Sequence, residues 1–228
     1  MPAASPPRQP DRPLAWFDTP QGRAVLADEH GLLMPLLVRC PGSRVCHVLP
    51  TANAAAHAPP MLMPNSDRLW CDAEGWHAGE EPARDIPGVP AHSVDLVVAM
   101  HVVGTLPEPL PRLAAIQRML APGGTVFFVE FNPWGPYRRQ WRDLGMDAMP
   151  LRRLRALVDG CGLEVGASYA LRPRTSSDSS GMLLRHNWRL PAWLPFRAYV
   201  IRARKPEPGM TLAGGKALSS ALIQAPNA

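Results

Sequence analysis

The chain predicts an α/β fold, an open, doubly wound and mostly parallel sheet. Two observations carry that prediction. The first is the stretch 93–134, SVDLVVAMHVVGTLPEPLPRLAAIQRMLAPGGTVFFVEFNPW, which reads as strand, loop, amphipathic helix, turn and strand. The second is size: 228 residues, 46% of them hydrophobic, suit one domain with a sizeable core plus extensions. Within the stretch, Leu96 to Ala99 form a short β-branched run opened by Ser93 and Asp95, as a strand buried on both faces requires. Leu106, Leu110, Leu113, Ile116 and Leu120 recur at helical spacing, leaving Arg112, Gln117 and Arg118 for the wet face. Pro122-Gly123-Gly124 stops that helix, because proline cannot continue it and glycine accepts a left-handed cap. Residues 125–131 are the second buried strand. Two such strands joined by a crossover helix make half of a doubly wound sheet, whose ligands lie at the carboxyl ends of its strands.

SVDLVVAMHVV followed by LAAIQRMLAPGGTVFFVEFNPW resembles the second half of a class I, type 11 S-adenosylmethionine-dependent methyltransferase. In that family an acidic residue opens the fourth strand and an RxLxPGG turn precedes the fifth. The tetrapeptide FNPW is similar to the end of the fifth strand in one bacterial branch of the family. LRRLRALVDGCGLEV resembles the family's helix followed by a G-(F/L)-E-V strand, and FRAYVIRARK its last strand, which is antiparallel. The resemblance runs over 45–205 and is strong from Ser93 onward. It implies a Rossmann-like, seven-stranded sheet, reduced at one edge, with an antiparallel strand near one edge.

The first half departs from the family pattern. There the first strand ends in a glycine-rich loop, where glycine lets backbone approach the cofactor and a helix N-terminus offers amide donors. Here the expected first strand is 44–49 and the loop is Pro50-Thr51-Ala52-Asn53, with no glycine between Gly42 and Gly75. Pro50 also removes one amide donor. Thr51 caps an expected short helix over 51–58. Residues 61–63 and 68–71 are the expected second and third strands, with little chain left between them for a helix. Before the first strand, Thr19 caps a helix with Pro20 at its first position, and the apolar residues Val25, Leu26, Leu32, Leu33, Leu36 and Leu37 follow, broken near Gly31 and Pro35. The expected organisation is a flexible leader over 1–13, one domain over 14–205 and a disordered tail over 206–228.

The net charge of +5 rests almost wholly on arginine, since Lys205 and Lys216 are the only lysines. Together with 28 prolines, this usage suggests a GC-rich bacterial genome more than a nucleic-acid partner. The N-terminus has no apolar core of signal-peptide length, and no apolar run is long enough to span a bilayer. Cys40, Cys46, Cys71 and Cys161 form no C-x-x-C pair and read as reduced thiols of a cytoplasmic protein. The seven histidines form no metal-binding spacing, so no metal is expected. Arg138, Arg139, Arg142, Arg152, Arg153 and Arg155, interrupted by Asp143 and Asp147, read as a solvated helical face, with an acidic small molecule as the alternative ligand.

The resemblance implies S-adenosylmethionine as cofactor, held by Pro50, Thr51, Asp72, Ala73, Ala99, Met100 and His101. Asp72 either bonds the adenine amine, as the acid after the third strand does in relatives, or is a turn aspartate. His101 covers the methionine part of the cofactor, acts as a base, or is a half-buried histidine satisfied by backbone. Asp95 reads as structural, at the far end of its strand. After the fifth strand, Asn132 has one acceptor and two donors, Pro133 fixes the exit direction and Trp134 offers a flat wall. With Tyr137 they are the expected acceptor-binding residues. Sulfonium methyl transfer depends chiefly on in-line positioning, so no catalytic residue is assigned. The expected activity is methyl transfer to a small-molecule acceptor. The alternatives are a catalytically degenerate binding protein and an RNA-binding or RNA-modifying protein. The sequence sets neither acceptor nor oligomeric state.

Overall fold

The computed structural model describes residues 13–60, 63–72, 75–78, 86–135, 137–146, 148–172, 182–185 and 196–207. Most of the expected leader and tail, and Ala73, lie outside the described residues. A 3-10 segment (Pro13–Asp18) leads into α1 (Pro20–Leu37), β1 (Arg44–Leu49), α2 (Ala52–Ala56), β2 (Asn65–Cys71), β3 (Trp76–His77), β4 (Val94–Met100), α3 (Pro109–Met119) and β5 (Leu120–Phe131). Then come α4 (Arg138–Asp143), α5 (Leu151–Gly160), β6 (Glu164–Arg172), β7 (Met182–Arg185) and β8 (Ala198–Arg204).

The eight strands form one sheet in the order β3-β2-β1-β4-β5-β8-β6-β7. β2, β1, β4 and β5 are mutually parallel, and β8 runs antiparallel to both β5 and β6. The architecture is the doubly wound, Rossmann-like one expected, with a parallel core and β8 inserted antiparallel beside β5, but β3 and β7 add an antiparallel strand at each edge, giving eight strands where seven were expected. The β-branched runs are buried on both faces: Val45 and Val48 of β1, Leu96 to Ala99 of β4 and Val126 to Val129 of β5 are all within the core.

Two close approaches fix the register of this core. Asp95 Oδ2 accepts from the amides of Ser43 (2.7 Å) and Arg44 (3.0 Å), tying the start of β1 to β4. The approach requires Gly42, whose φ is +144° and whose added Cβ would lie 2.3 Å from Asp95 Cβ. On the other side, Val94 pairs with Leu120 and Leu96 with Thr125, so Pro122-Gly123-Gly124 is taken up as a bulge at the start of β5. Asp95 is therefore structural, as its position suggested.

The first half corrects several expectations. Of the strand expected at 61–63 only Met63 lies among the described residues, and it is in a bend. Residues 65–71 form one strand beside β1, so the run expected to be third in the sheet is second. The next strand is a two-residue return, β3, antiparallel to β2. Helix α2 covers only five residues, with Thr51 Oγ1 accepting from Ala54 N at 3.0 Å. α1 runs unbroken through Gly31 and Pro35. Leu106, Leu113, Ile116 and Leu120 are buried as their spacing predicted, but two positions depart: Leu110 is 54% exposed, and Arg112 is buried and donates to the carbonyls of Pro107, Glu108 and Asp72.

Candidate functional site

The carboxyl ends of β1, β4 and β5 converge beneath the 3-10 segment and α1. β1 delivers Pro50 and Thr51, both buried. Thr51 Oγ1 caps α2 and also donates to Asp18 Oδ1 at 2.6 Å. β4 delivers Ala99, Met100 and His101, all buried. His101 has φ +55°, a left-handed conformation rare outside glycine, which turns the chain sharply at the strand end. Asp72 follows β2 and sits half-buried, its Oδ1 3.1 Å from both Gly75 N and His77 Nε2. The fold thus brings Pro50, Thr51, Ala99, Met100 and His101 to one edge, with Asp72 on the next strand out.

Aromatic side chains fill that edge. The Phe17 ring lies nearly parallel to Phe131 (centroids 5.7 Å, 4°) and to His101 (5.2 Å, 23°). Phe131 in turn stacks on His101 at 3.9 Å and on Trp141 at 3.5 Å. Trp16 meets Phe17, Phe131 and Trp141 edge-on. All these rings are at most 3% exposed, so the crevice is closed by packed side chains.

A buried polar network lies beside the stack. His101 Nε2 is 2.7 Å from Glu29 Oε2, and Arg197 donates to Glu29 Oε1 (2.9 Å) and Asp28 Oδ2 (2.7 Å). Burial pushes the Glu29 carboxyl up, but His101 and Arg197 more than offset it, leaving its pKa below the ordinary value. Glu130 behaves oppositely. Burial raises its pKa, only partly opposed by His101 and the amides of Gly104, Val103 and Val102. Among the described residues, His101 Nδ1 and Glu130 Oε2 have no hydrogen-bond partner. Sequence reasoning missed Glu29, Glu130 and Arg197. The signal for the two acids was a charge on a buried pattern: Glu29 follows Val25 by one helical repeat, and Glu130 interrupts the run 125–131.

Of the residues expected to bind an acceptor, Asn132 is buried. Its Nδ2 donates to Phe196 O at 3.1 Å and its Oδ1 accepts from Trp134 N at 3.1 Å, so it holds the turn after β5. Pro133 is half-buried in the turn. Trp134 is 56% exposed, with the Arg138 guanidinium 5.1 Å from its ring centroid. Tyr137 points elsewhere. It borders an open cleft of about 570 Å³ along α1, lined also by Gln21, Ala24, Asp28, Gly31 and Arg197. The four expected acceptor residues thus follow one strand but serve different surroundings.

Residues 40–165, more than half of the chain, match a methyltransferase domain. The chain belongs to that methyltransferase family. Solved methyltransferases share its fold. One, from Thermotoga maritima, is 14% identical over 85% of this chain and 98% of its own, with a TM-score of 0.59. A chain of the Haloferax volcanii complex between the Trm112 methyltransferase activator and a methyltransferase is 16% identical over 86% of this chain and 99% of its own, with a TM-score of 0.56. The N-methyltransferase NodS of Bradyrhizobium japonicum, solved with S-adenosyl-L-homocysteine, is 16% identical over 86% and 93%, with a TM-score of 0.50. No curated protein matches by sequence.

The family implies S-adenosylmethionine, and the closed crevice does not fit it. Phe17 occupies the stacking space over His101 and Phe131, and Asp18 and Ala54 already engage the Thr51 hydroxyl. Pro50 has no amide to offer. In this conformation Phe17 and Asp18 occupy the space above His101 and Thr51.

Proposed function

We propose that the protein transfers a methyl group from S-adenosylmethionine to a small-molecule acceptor. The observation that carries this reading is the sheet order, in which one antiparallel strand is inserted beside β5 in a family-matched domain. The β1/β4 edge is the switch point at which such sheets bind ligands. The cofactor supplies an electrophilic methyl on a sulfonium, and the protein's task is binding and alignment. Pro50, Thr51, Ala99, Met100 and His101 border the proposed cofactor region. Asp72, placed at the end of β2 and not after a third strand, suits a ribose hydroxyl better than the adenine amine. Ala73 adjoins it in sequence. The proposed acceptor side is the cleft beside Tyr137 and the face carrying Pro133 and Trp134, with Asn132 supporting the turn. No described helix is long and apolar enough to cross a membrane. A cytoplasmic location is part of the proposal.

The filled crevice favours a second reading, a methyltransferase-like protein that binds a partner or ligand without catalysis. Calorimetric titration with S-adenosylmethionine and S-adenosylhomocysteine, followed by transfer of radiolabelled methyl to a small-molecule extract, separates the two. Saturable binding with labelled product is expected. Binding without product supports the second reading, and absence of binding removes the cofactor.

A further inference from the structure

We propose that the 3-10 segment Pro13–Asp18 is a built-in plug, which must leave the strand-end crevice before a nucleoside ligand can enter. This inference rests on the cofactor reading above and adds its control. Trp16 rests edge-on against Phe131 and Trp141, and three further features seat the plug. Phe17 inserts its ring over His101 and Phe131. Asp18 Oδ1 takes the hydroxyl of Thr51, the residue that follows the first strand and would face the cofactor. The third is a hole in α1. A Cβ on Gly22 would lie 2.2 Å from Trp16 O and 2.6 Å from Phe17 Cα, so only glycine lets the segment's backbone lie against the helix.

The segment can leave without unfolding α1. Its link to the helix is Thr19, whose Oγ1 donates to Trp16 O (2.7 Å) and accepts from Gly22 N (3.1 Å). Further along α1, Asp28 and Glu29 are held separately by Arg197 and His101. Lifting the segment therefore breaks the Phe17 stack, the Trp16 contacts with Phe131 and Trp141 and the Asp18–Thr51 bond while the charged network keeps α1 in place. A ligand that needs the open form sees its affinity reduced by the fraction of molecules that are open.

The test uses the full chain and S-adenosylhomocysteine as probe. Gly22→Ala unseats the backbone without touching an aromatic residue, and Phe17→Ala empties the slot while leaving α1 intact. Both variants are expected to bind the probe at least about tenfold more tightly than the original protein. Amide exchange at residues 15–19 is expected to be faster than in β4, and faster still in Gly22→Ala. If both variants fold and bind no more tightly than the original protein, the plug is overturned while the cofactor reading stands. Exchange at 15–19 only through global unfolding also overturns it. If no form binds the probe, the cofactor reading fails, and the plug fails with it for want of a ligand to exclude.

Discussion

His47 sits in β1 beneath α1, and its ring meets that of His30 edge-on at 5.3 Å. Among the described residues neither Nε2 has a hydrogen-bond partner. Burial holds both rings neutral. It lowers His30 and, with His30 and Arg68 adding to it, brings His47 from 6.5 to about 3. Below pH 6.5 the unfolded chain takes up protons that the folded chain refuses. Stability from His47 is therefore complete above pH 6.5 and declines as pH falls toward about 3. The slope is at most about 1.4 kcal/mol per pH unit. Urea unfolding between neutral pH and pH ~5 should show this decline, and His47→Gln should flatten it. An equal slope in the variant would assign the effect to other groups. Arg197 offers a second check. Its guanidinium is buried against Glu29 and Asp28, so Arg197→Ala leaves a buried carboxylate short of a partner and should cost about 3 kcal/mol in the same assay. A loss below about 1 kcal/mol would mean that His101 alone compensates Glu29.

At the scale of elements, the arginines expected to be solvated divide into two groups. Arg152 and Arg153 on α5 are exposed, but Arg155 Nη1 donates to Ser168 Oγ of β6 at 2.7 Å. Replacing Arg152 and Arg153 by serine should leave nucleic-acid retention unchanged at moderate salt. A steep salt-dependent loss in a filter-binding assay would revive the RNA alternative. The same elements show what was legible beforehand. β1, β4, α5 and β8 were readable because each is a short apolar pattern with a strong stop signal: Leu49-Pro50, the Gly160-Cys161-Gly162 end of α5, and the alternation in AYVIRAR. In α3 the phase was read correctly except at two positions: Leu110 lies in the exposed first turn, and Arg112 is drawn inward by the carbonyls of Pro107 and Glu108 before the helix and of Asp72 at the end of β2. β2 was read short, as 68–71, because Asn65, Ser66 and Asp67 carry no strand propensity, and pairing with β1 overrides that. The plug was invisible for a similar reason. The destination of Trp16 and Phe17 is set by contacts more than a hundred residues away, at Phe131 and Trp141.

Across the whole molecule, the sheet is unevenly supported, and this asymmetry has a measurable consequence. β4 and β5 are flanked by strands on both sides, and their centres, Val97 to Ala99 and Val126 to Val129, are at most 1% exposed. Opening them exposes the whole core, so their amides should exchange only through global unfolding. The β2 side is thin by comparison. Its outermost strand has two residues, and α2 beside it has five, too few to be stable without packing. The β2 side, where the cofactor is proposed to bind, is therefore expected to be the low-stability end of the fold, and the side of β8, β6 and α5 the rigid one. We predict two classes of amide in native-state hydrogen exchange under increasing urea. Residues 97–99, 126–129 and 199–201 should follow the global transition, with a strong denaturant dependence. Residues 54–57 and 76–77 should exchange through local openings with little denaturant dependence, at least about 2 kcal/mol more easily. If all these sites merged into one isotherm, the thin edge would be as cooperative as the core. Ligand entry would then have to act on the whole fold and not on one side of it.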